Sequence, residues 1–370
     1  MKDKIRVLLC SVSLEDKGGV TNYVRMILEN YPKDKYLINH FVQGDTSKFI
    51  KIFYPLVILI QLVKFKEKLR QFNPDVVHIN PSLAWAAIIR DYFFSRSARK
   101  NGFPVLFCMG GWDAKISKHF HKKTILQRFF FRIFDTPDRI LVLAESFKNE
   151  IKELGIDQNR IVLTTMMVES EKFKPEHRTF EPPYTLLFCS RIEKLKGIYE
   201  LLDAFQLILR KYPKIQLTYV GSGTEYHNLN KKISVIGLED HITCVGYKTG
   251  AEKIHYFTHS DIMILPSYTE GFPNVFCEAM AAGLPFIGTH VGGLVDVFQD
   301  GKQGRVIQSM PPAPQEIAEK IIELLEDKKI MKQISENNIR EAKAKYDVSV
   351  VIAKLDGLYQ EMFERKEKHA

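Results

Sequence analysis

Apolar residues in this chain fall into short unbroken runs, and the stretches between those runs repeat with helical period. The runs IRVLLCS (5–11), YLINHFV (36–42), VVHIN (76–80), PVLFCM (104–109), RILVLA (139–144) and RIVLTT (160–165) are too continuous for strands with one wet face. They read as strands of a parallel sheet covered on both sides. Helical patterns such as 20–29 and 146–154 fill the gaps, and repeated strand–helix–strand units predict an open, doubly wound sheet. Residues 169–184 break the pattern: they are polar, carry Pro175, Pro182 and Pro183, and read as a linker. Alternation restarts with TLLFCS (185–190), IQLTYVG (215–221), ITCVGY (242–247), DIMILP (261–266) and PFIGT (285–289), and a helical pattern covers 348–366. The prediction is an α/β protein with two similar domains, 1–168 and 185–345, and a helical segment at 346–370.

Composition changes this picture little. With 370 residues, 45% hydrophobic and 26% charged, the chain has apolar material for two cores without metal or disulfide staples. Cys10, Cys108, Cys189, Cys244 and Cys277 are far apart in sequence and read as reduced core thiols, which favours a reducing, cytoplasmic setting. The beginning does not read as a signal peptide, since Glu15 and Asp16 soon follow its short apolar run. The longest apolar candidate, 53–63, has the length of a buried or interfacial helix and falls short of the ~18 residues of a membrane span. A net charge of +9 points to an anionic partner.

In doubly wound sheets ligands bind beyond the carboxyl ends of the strands, so the chemistry is expected in the loops that follow them. Gly18 and Gly19 follow the first strand and precede a helix, where backbone amides and the positive dipole end attract an anion. Arg191 and Lys196 follow TLLFCS, with Gly197 opening the next helix, and suit a diphosphate. YVGSGTE (219–225) repeats the strand–glycine–helix arrangement without the full dinucleotide spacing. The stretch SYTEGFPNVFCEAMAAGLPFIGTHVGG (267–293) is the most informative. Gly271, Pro273 and Asn274 read as a turn and helix entry, and Gly283 with Pro285 as the exit. Glu270 precedes the helix and Glu278 lies one turn inside it, and they read either as acceptors for sugar and ribose hydroxyls or simply as cap and helix-surface acids. A carboxylate beside a helix N-terminus is stabilised when ionised, which favours binding over proton donation.

The run from Glu270 to Pro285 closely resembles the E-x7-E signature of retaining glycosyltransferases of family 4, which have the GT-B fold. Other pieces fall in that family's order: KGGV near the start, NPDVVHIN (73–80), SRIEKLKGI (190–198), YVGSGTE and DIMILPSYTEGFP (261–273). The resemblance implies two Rossmann-like domains facing each other across a cleft, with the final helix crossing back to the amino-terminal, acceptor-binding domain. It implies Glu270, Arg191 and Lys196 as catalytic residues. The donor site it implies comprises Gly18, Gly19, Arg191, Lys196, Glu270, Gly271, Phe272, Pro273, Asn274, Val275 and Glu278. Within it Glu278 binds ribose, Glu270 contacts the donor sugar, and Arg191 with Lys196 neutralises the leaving diphosphate. The co-substrate is then a nucleotide-diphosphate sugar, UDP- or GDP-linked, with no cofactor and no metal expected. Two positions depart from the family pattern. Met109 stands where many members have a histidine, and LTTMMVES (163–170) replaces the usual IPNGVD-like turn.

Residues 114–134 hold six Lys/Arg, at 115, 118, 122, 123, 128 and 132, with five Phe and no acid. Such a stretch suits an anionic membrane surface, reinforced by Arg96, Arg99 and Lys100 and by Lys64, Lys66, Lys68 and Arg70. This predicts peripheral contact with the inner membrane face and a glycan or lipid-linked saccharide acceptor. No nucleic-acid motif accompanies the charge. Two other functions fit the same residues: a nucleotide-sugar epimerase of similar architecture, and a catalytically silent partner subunit that only binds nucleotide-sugar.

Overall fold

The computed structural model describes residues 4–16, 18–43, 54–121, 124–175 and 178–369. The chain divides into two compact units, Met1–Met166 with Val348–Ala370, and Met167–Asp347.

The first unit holds β1 (Ile5–Ser11), β2 (Tyr36–Val42), β3 (Val76–Ile79), β4 (Val105–Cys108), β5 (Arg139–Val142) and β6 (Ile161–Leu163). They form one sheet in the order β2-β1-β3-β4-β5-β6, every pairing parallel. Helices α1 (Gly19–Asn30), α2 (Tyr54–Phe72) and α3 (Trp85–Lys100) follow the first three strands. The helix Val348–His369 also packs here, burying Val351, Leu355, Leu358, Tyr359 and Met362 at near-helical spacing. Its Tyr359 hydroxyl and His78 Nδ1 share a buried hydrogen bond of 2.5 Å, and Tyr36 donates to Asp356 at 2.5 Å. His78 is thereby a core residue: burial pulls its pKa down to about 3, keeping the ring neutral.

The second unit holds β7 (Thr185–Cys189), β8 (Gln216–Val220), β9 (Ile242–Gly246), β10 (Ile262–Leu265), β11 (Phe286–Thr289) and β12 (Gly304–Ile307). Their order is β12-β11-β10-β7-β8-β9, again all parallel. The helix Ile198–Leu209 shows how the sequence drives this packing. Ile198, Leu201, Leu202, Phe205 and Ile208 form one stripe and are all buried. β12 had no counterpart in the sequence pattern, because GRVI is short and carries Arg305, whose side chain reaches Glu323 at 3.1 Å.

The described residues of 169–184 pack within the second unit. Ser170–Phe173 form a helical turn, Phe173, Phe180 and Tyr184 are buried, and Arg178 donates to the carbonyl oxygens of Phe257 and Ala282 at 3.0 Å each. Arg178 thereby caps the carbonyl ends of two helices, Gly250–Thr258 and Asn274–Ala281, from the segment that the sequence pattern reads as a linker.

Candidate functional site

In the second sheet the strand order reverses at β7, which lies between β8 and β10. Loops leaving the carboxyl ends of strands at such a switch point diverge and leave room for a ligand. The loop after β7 carries Arg191 and Lys196, and the loop after β10 carries Ser267, Thr269 and Glu270.

Lys196 joins the two loops. Its Nζ donates to Glu270 Oε1 at 2.7 Å and to the Thr269 carbonyl oxygen at 3.3 Å, and Ser267 Oγ donates to the same Glu270 oxygen at 2.7 Å. Both charged side chains are only 9% exposed, so each depends on the other to offset the cost of leaving water. Gly197 makes the turn possible. Its φ is +70°, and a Cβ there would lie 2.0 Å from the Pro266 carbonyl oxygen. Arg191 behaves differently: it is 68% exposed and pairs with Glu193 at 2.9 Å. The diphosphate pair expected from sequence therefore consists of one fixed, buried lysine and one exposed arginine engaged elsewhere.

The helix Asn274–Ala281 starts after Pro273 and buries Phe276, Cys277, Ala279, Met280 and Ala281. Glu278 lies on its remaining face and is bound at 2.6 Å by Lys253, from the helix Gly250–Thr258. Their side chains are 13% and 16% exposed. Burial is the largest influence on Lys253 and pulls its pKa down, but Glu278, with smaller help from Cys189 and Tyr247, outweighs it and the net shift is upward. Lys253 is thus a fixed positive charge. The thiol of Cys189 is pushed up to about 12 by burial and that of Cys277 is raised in the same way, so neither acts as a nucleophile at neutral pH.

The loop after β11 braces the stretch from outside. Gly292 has φ +57°, and a Cβ there would sit 1.9 Å from the Glu270 carbonyl oxygen. Gly293 N donates to the Gly271 carbonyl oxygen at 2.6 Å. Lys253, Ser267, Gly292 and Gly293 were not singled out from sequence. The glycine pair after a strand was a visible signal, whereas the Lys253 and Ser267 contacts were not. Phe272 is buried and Gly271, Asn274 and Val275 are half-buried beside them, so the sequence-predicted stretch is one assembly.

Gly18 and Gly19 belong to the first unit. Gly18 caps α1 in extended conformation, and nothing lies within 4 Å of where its Cβ would be. Met109 is 1% exposed inside the core of that unit. A Cβ on the adjoining Gly110 would press on Val20 of α1 at 2.7 Å. Of the basic stretch 114–134, Lys122 and Lys123 lie outside the described residues. Lys115, Lys118, Arg128 and Arg132 are exposed. Phe120, Phe130 and Phe134 are buried, Phe129 packs against the core, and Phe131 is 36% exposed. The stretch therefore offers surface charge but little aromatic surface. Among the described residues no group of three or more His, Cys, Asp or Glu is arranged to hold a metal ion.

Residues 169–341 match the family model of glycosyl transferases group 1. The capsular polysaccharide biosynthesis glycosyltransferase CapM of Staphylococcus aureus is 26% identical over 62% of this chain and 63% of its own length, so the chain spans under two thirds of CapM. The N-acetyl-alpha-D-glucosaminyl L-malate synthase of Bacillus anthracis is 22% identical over 94% of this chain and 91% of its own. Among solved structures, Anabaena HepE in complex with UDP and glucose superposes with a TM-score of 0.74 at 18% identity, covering 96% of this chain and 99% of HepE. Two six-stranded parallel sheets with flanking helices, aligned over nearly the whole of HepE, define a two-domain α/β protein of GT-B fold.

Proposed function

We propose that the chain is a glycosyltransferase moving a sugar, with retention of configuration, from a UDP- or GDP-linked donor to a glycan or lipid-linked saccharide in cell-envelope polysaccharide assembly. The observation that carries this is the double pairing Lys196–Glu270 and Lys253–Glu278 within the segment that matches group 1 glycosyltransferases. CapM, named for capsular polysaccharide biosynthesis, supports the pathway class, and the UDP bound to HepE supports the donor class.

In this proposal Glu278, held by Lys253, accepts hydrogen bonds from the ribose hydroxyls. Glu270, held by Lys196 and Ser267, accepts from a donor-sugar hydroxyl. Lys196 faces the charge that builds on the diphosphate as the bond from the anomeric carbon breaks, with Arg191 turning from Glu193 to assist. The acceptor oxygen bonds to the anomeric carbon on the face the diphosphate leaves, and its proton passes to a diphosphate oxygen. The protein supplies position and fixed charge, already organised before the donor arrives. Gly18 and Gly19 present amides of α1 to an anionic part of a substrate. Lysine and helix amides do the work a metal would otherwise do, so turnover is expected to survive chelation.

The test is incubation with UDP- and GDP-sugars and a panel of lipid-linked saccharides, with the anomeric configuration of the product read by NMR. Retained configuration in the presence of EDTA supports the proposal, and an inverted product contradicts it. Interconversion of donor sugars without acceptor would point to an epimerase instead.

A further inference from the structure

Helix α2 carries two apolar faces. Phe65, Leu69 and Phe72 point into the core of the first unit and are buried. Leu56, Leu59, Ile60 and Val63, spaced i, i+3, i+4 and i+7, occupy the opposite side and remain 48–58% exposed. Four adjoining aliphatic side chains half in water are unusual for a surface with no partner. The next two turns of the same helix are basic. Lys64, Lys66, Lys68 and Arg70 against Glu67 alone leave four positive charges and one negative, an excess of three. Lys64, Lys66 and Arg70 are exposed with Glu67 among them, and Lys68 is half-buried, so the outward side of α2 passes from aliphatic to net cationic along its length.

We infer that α2 seats the first unit on an anionic lipid surface, its aliphatic half entering the acyl boundary and Lys64 to Arg70 lying among the phosphates. A bilayer offers an apolar layer and a layer of negative charge side by side, which is the complement of this face. A second copy of the chain would bring the same aliphatic patch with the same positive excess, so it complements only half of it. Among the described residues no helix is long and apolar enough to cross a membrane, so α2 lies on the surface. The inference deepens the proposed function by naming the face that brings the enzyme to a lipid-linked acceptor, and it rests on that proposal for the acceptor alone.

The experiment is cosedimentation of the full chain with phosphatidylcholine vesicles, with and without phosphatidylglycerol, alongside a UDP and GDP thermal-shift measurement on the same samples. The wild type is expected to sediment with the phosphatidylglycerol vesicles and to be released by salt. Leu59→Ser with Ile60→Ser is expected to weaken binding about tenfold, from the lost apolar burial. Lys64→Gln, Lys66→Gln and Arg70→Gln together are expected to remove the dependence on phosphatidylglycerol. All these side chains are exposed, so the melting temperature and nucleotide shift should stay as in the wild type. Wild type left in the supernatant, or undiminished binding by both variants, overturns the inference. So does a wild-type dimer that the Leu59→Ser, Ile60→Ser variant turns into a monomer with unchanged vesicle binding. A nucleotide shift without vesicle binding contradicts the docking face alone, and vesicle binding without any nucleotide shift contradicts the donor assignment alone.

Discussion

Lys253 holds Glu278 at 2.6 Å from a helix that lies 25 residues earlier in the chain, and both side chains are largely withdrawn from water. Removing one partner of such a pair strands the other charge, whereas removing both does not. Lys253→Met is expected to destabilise the second unit by about 3 kcal/mol, at the low end for buried pairs because both groups keep some solvent. Lys253→Met with Glu278→Gln should recover most of that loss but not nucleotide affinity. Urea denaturation with nucleotide titration on the same variants separates the two roles. Equal nucleotide affinity in the wild type and the double variant would remove Glu278 from the site.

Lys196 is the one cation of the expected diphosphate pair that the fold fixes in place. Lys196→Ala is expected to lower kcat by a factor on the order of a hundred or more, as loss of a preorganised charge-stabilising group does. Arg191→Ala, at an exposed side chain engaged with Glu193, should cost much less. Steady-state kinetics on the two variants checks the order, and a larger loss for Arg191→Ala would reverse the roles assigned here.

Gly292→Ala tests the brace behind Glu270. The new Cβ would collide with the Glu270 carbonyl oxygen, at a residue whose φ of +57° already disfavours a side chain. A stability loss of roughly 1–3 kcal/mol is expected, with KM for the donor raised. Gly18→Ala is the contrast: nothing lies within 4 Å of its Cβ, so stability should hold and any effect should appear in substrate binding.

His78 gives the first unit an acid limit. Its folded pKa of about 3 lies below the ordinary 6.5, so the unfolded chain takes up a proton that the folded one refuses. The contribution is therefore whole above pH 6.5 and is lost as pH falls toward 3. The slope is about 1.4 kcal/mol per pH unit within that window. Denaturation midpoints from pH 7 to pH 4 should show the slope in the wild type and lose it in His78→Gln. Tyr359→Phe, which removes the partner hydroxyl, should cost about 1–3 kcal/mol at neutral pH.

Much of the fold was legible because buried parallel strands write themselves as unbroken apolar runs; of the strands among the described residues only β12, short and interrupted by Arg305, escaped. Glu270 and Glu278 were legible because a loop–helix–strand signature is local. Their lysine partners were only partly so. Lys196 could be named as a cation after a strand, but its bond to Glu270 spans 74 residues, and nothing local marks Lys253. Residues 114–134 show the opposite limit. A run of Phe and Lys looks the same whether the rings face a membrane or the core, and here Phe120, Phe130 and Phe134 face the core. The aliphatic positions 56, 59, 60 and 63 are plain in the sequence, but their exposure depends on α2 turning Phe65, Leu69 and Phe72 inward.

The most direct test of the central claim is a thermal-shift titration with UDP, GDP and ADP, with Mg²⁺ or EDTA, on the wild type and Glu278→Gln. A ligand of the native state at about a hundred times its Kd adds about 2.7 kcal/mol, readily seen in the melting temperature. The expected result is a shift with UDP or GDP, indifferent to EDTA and largely lost in Glu278→Gln. No shift with any nucleotide, or the same shift in both proteins, would contradict a nucleotide-sugar site built on Glu278.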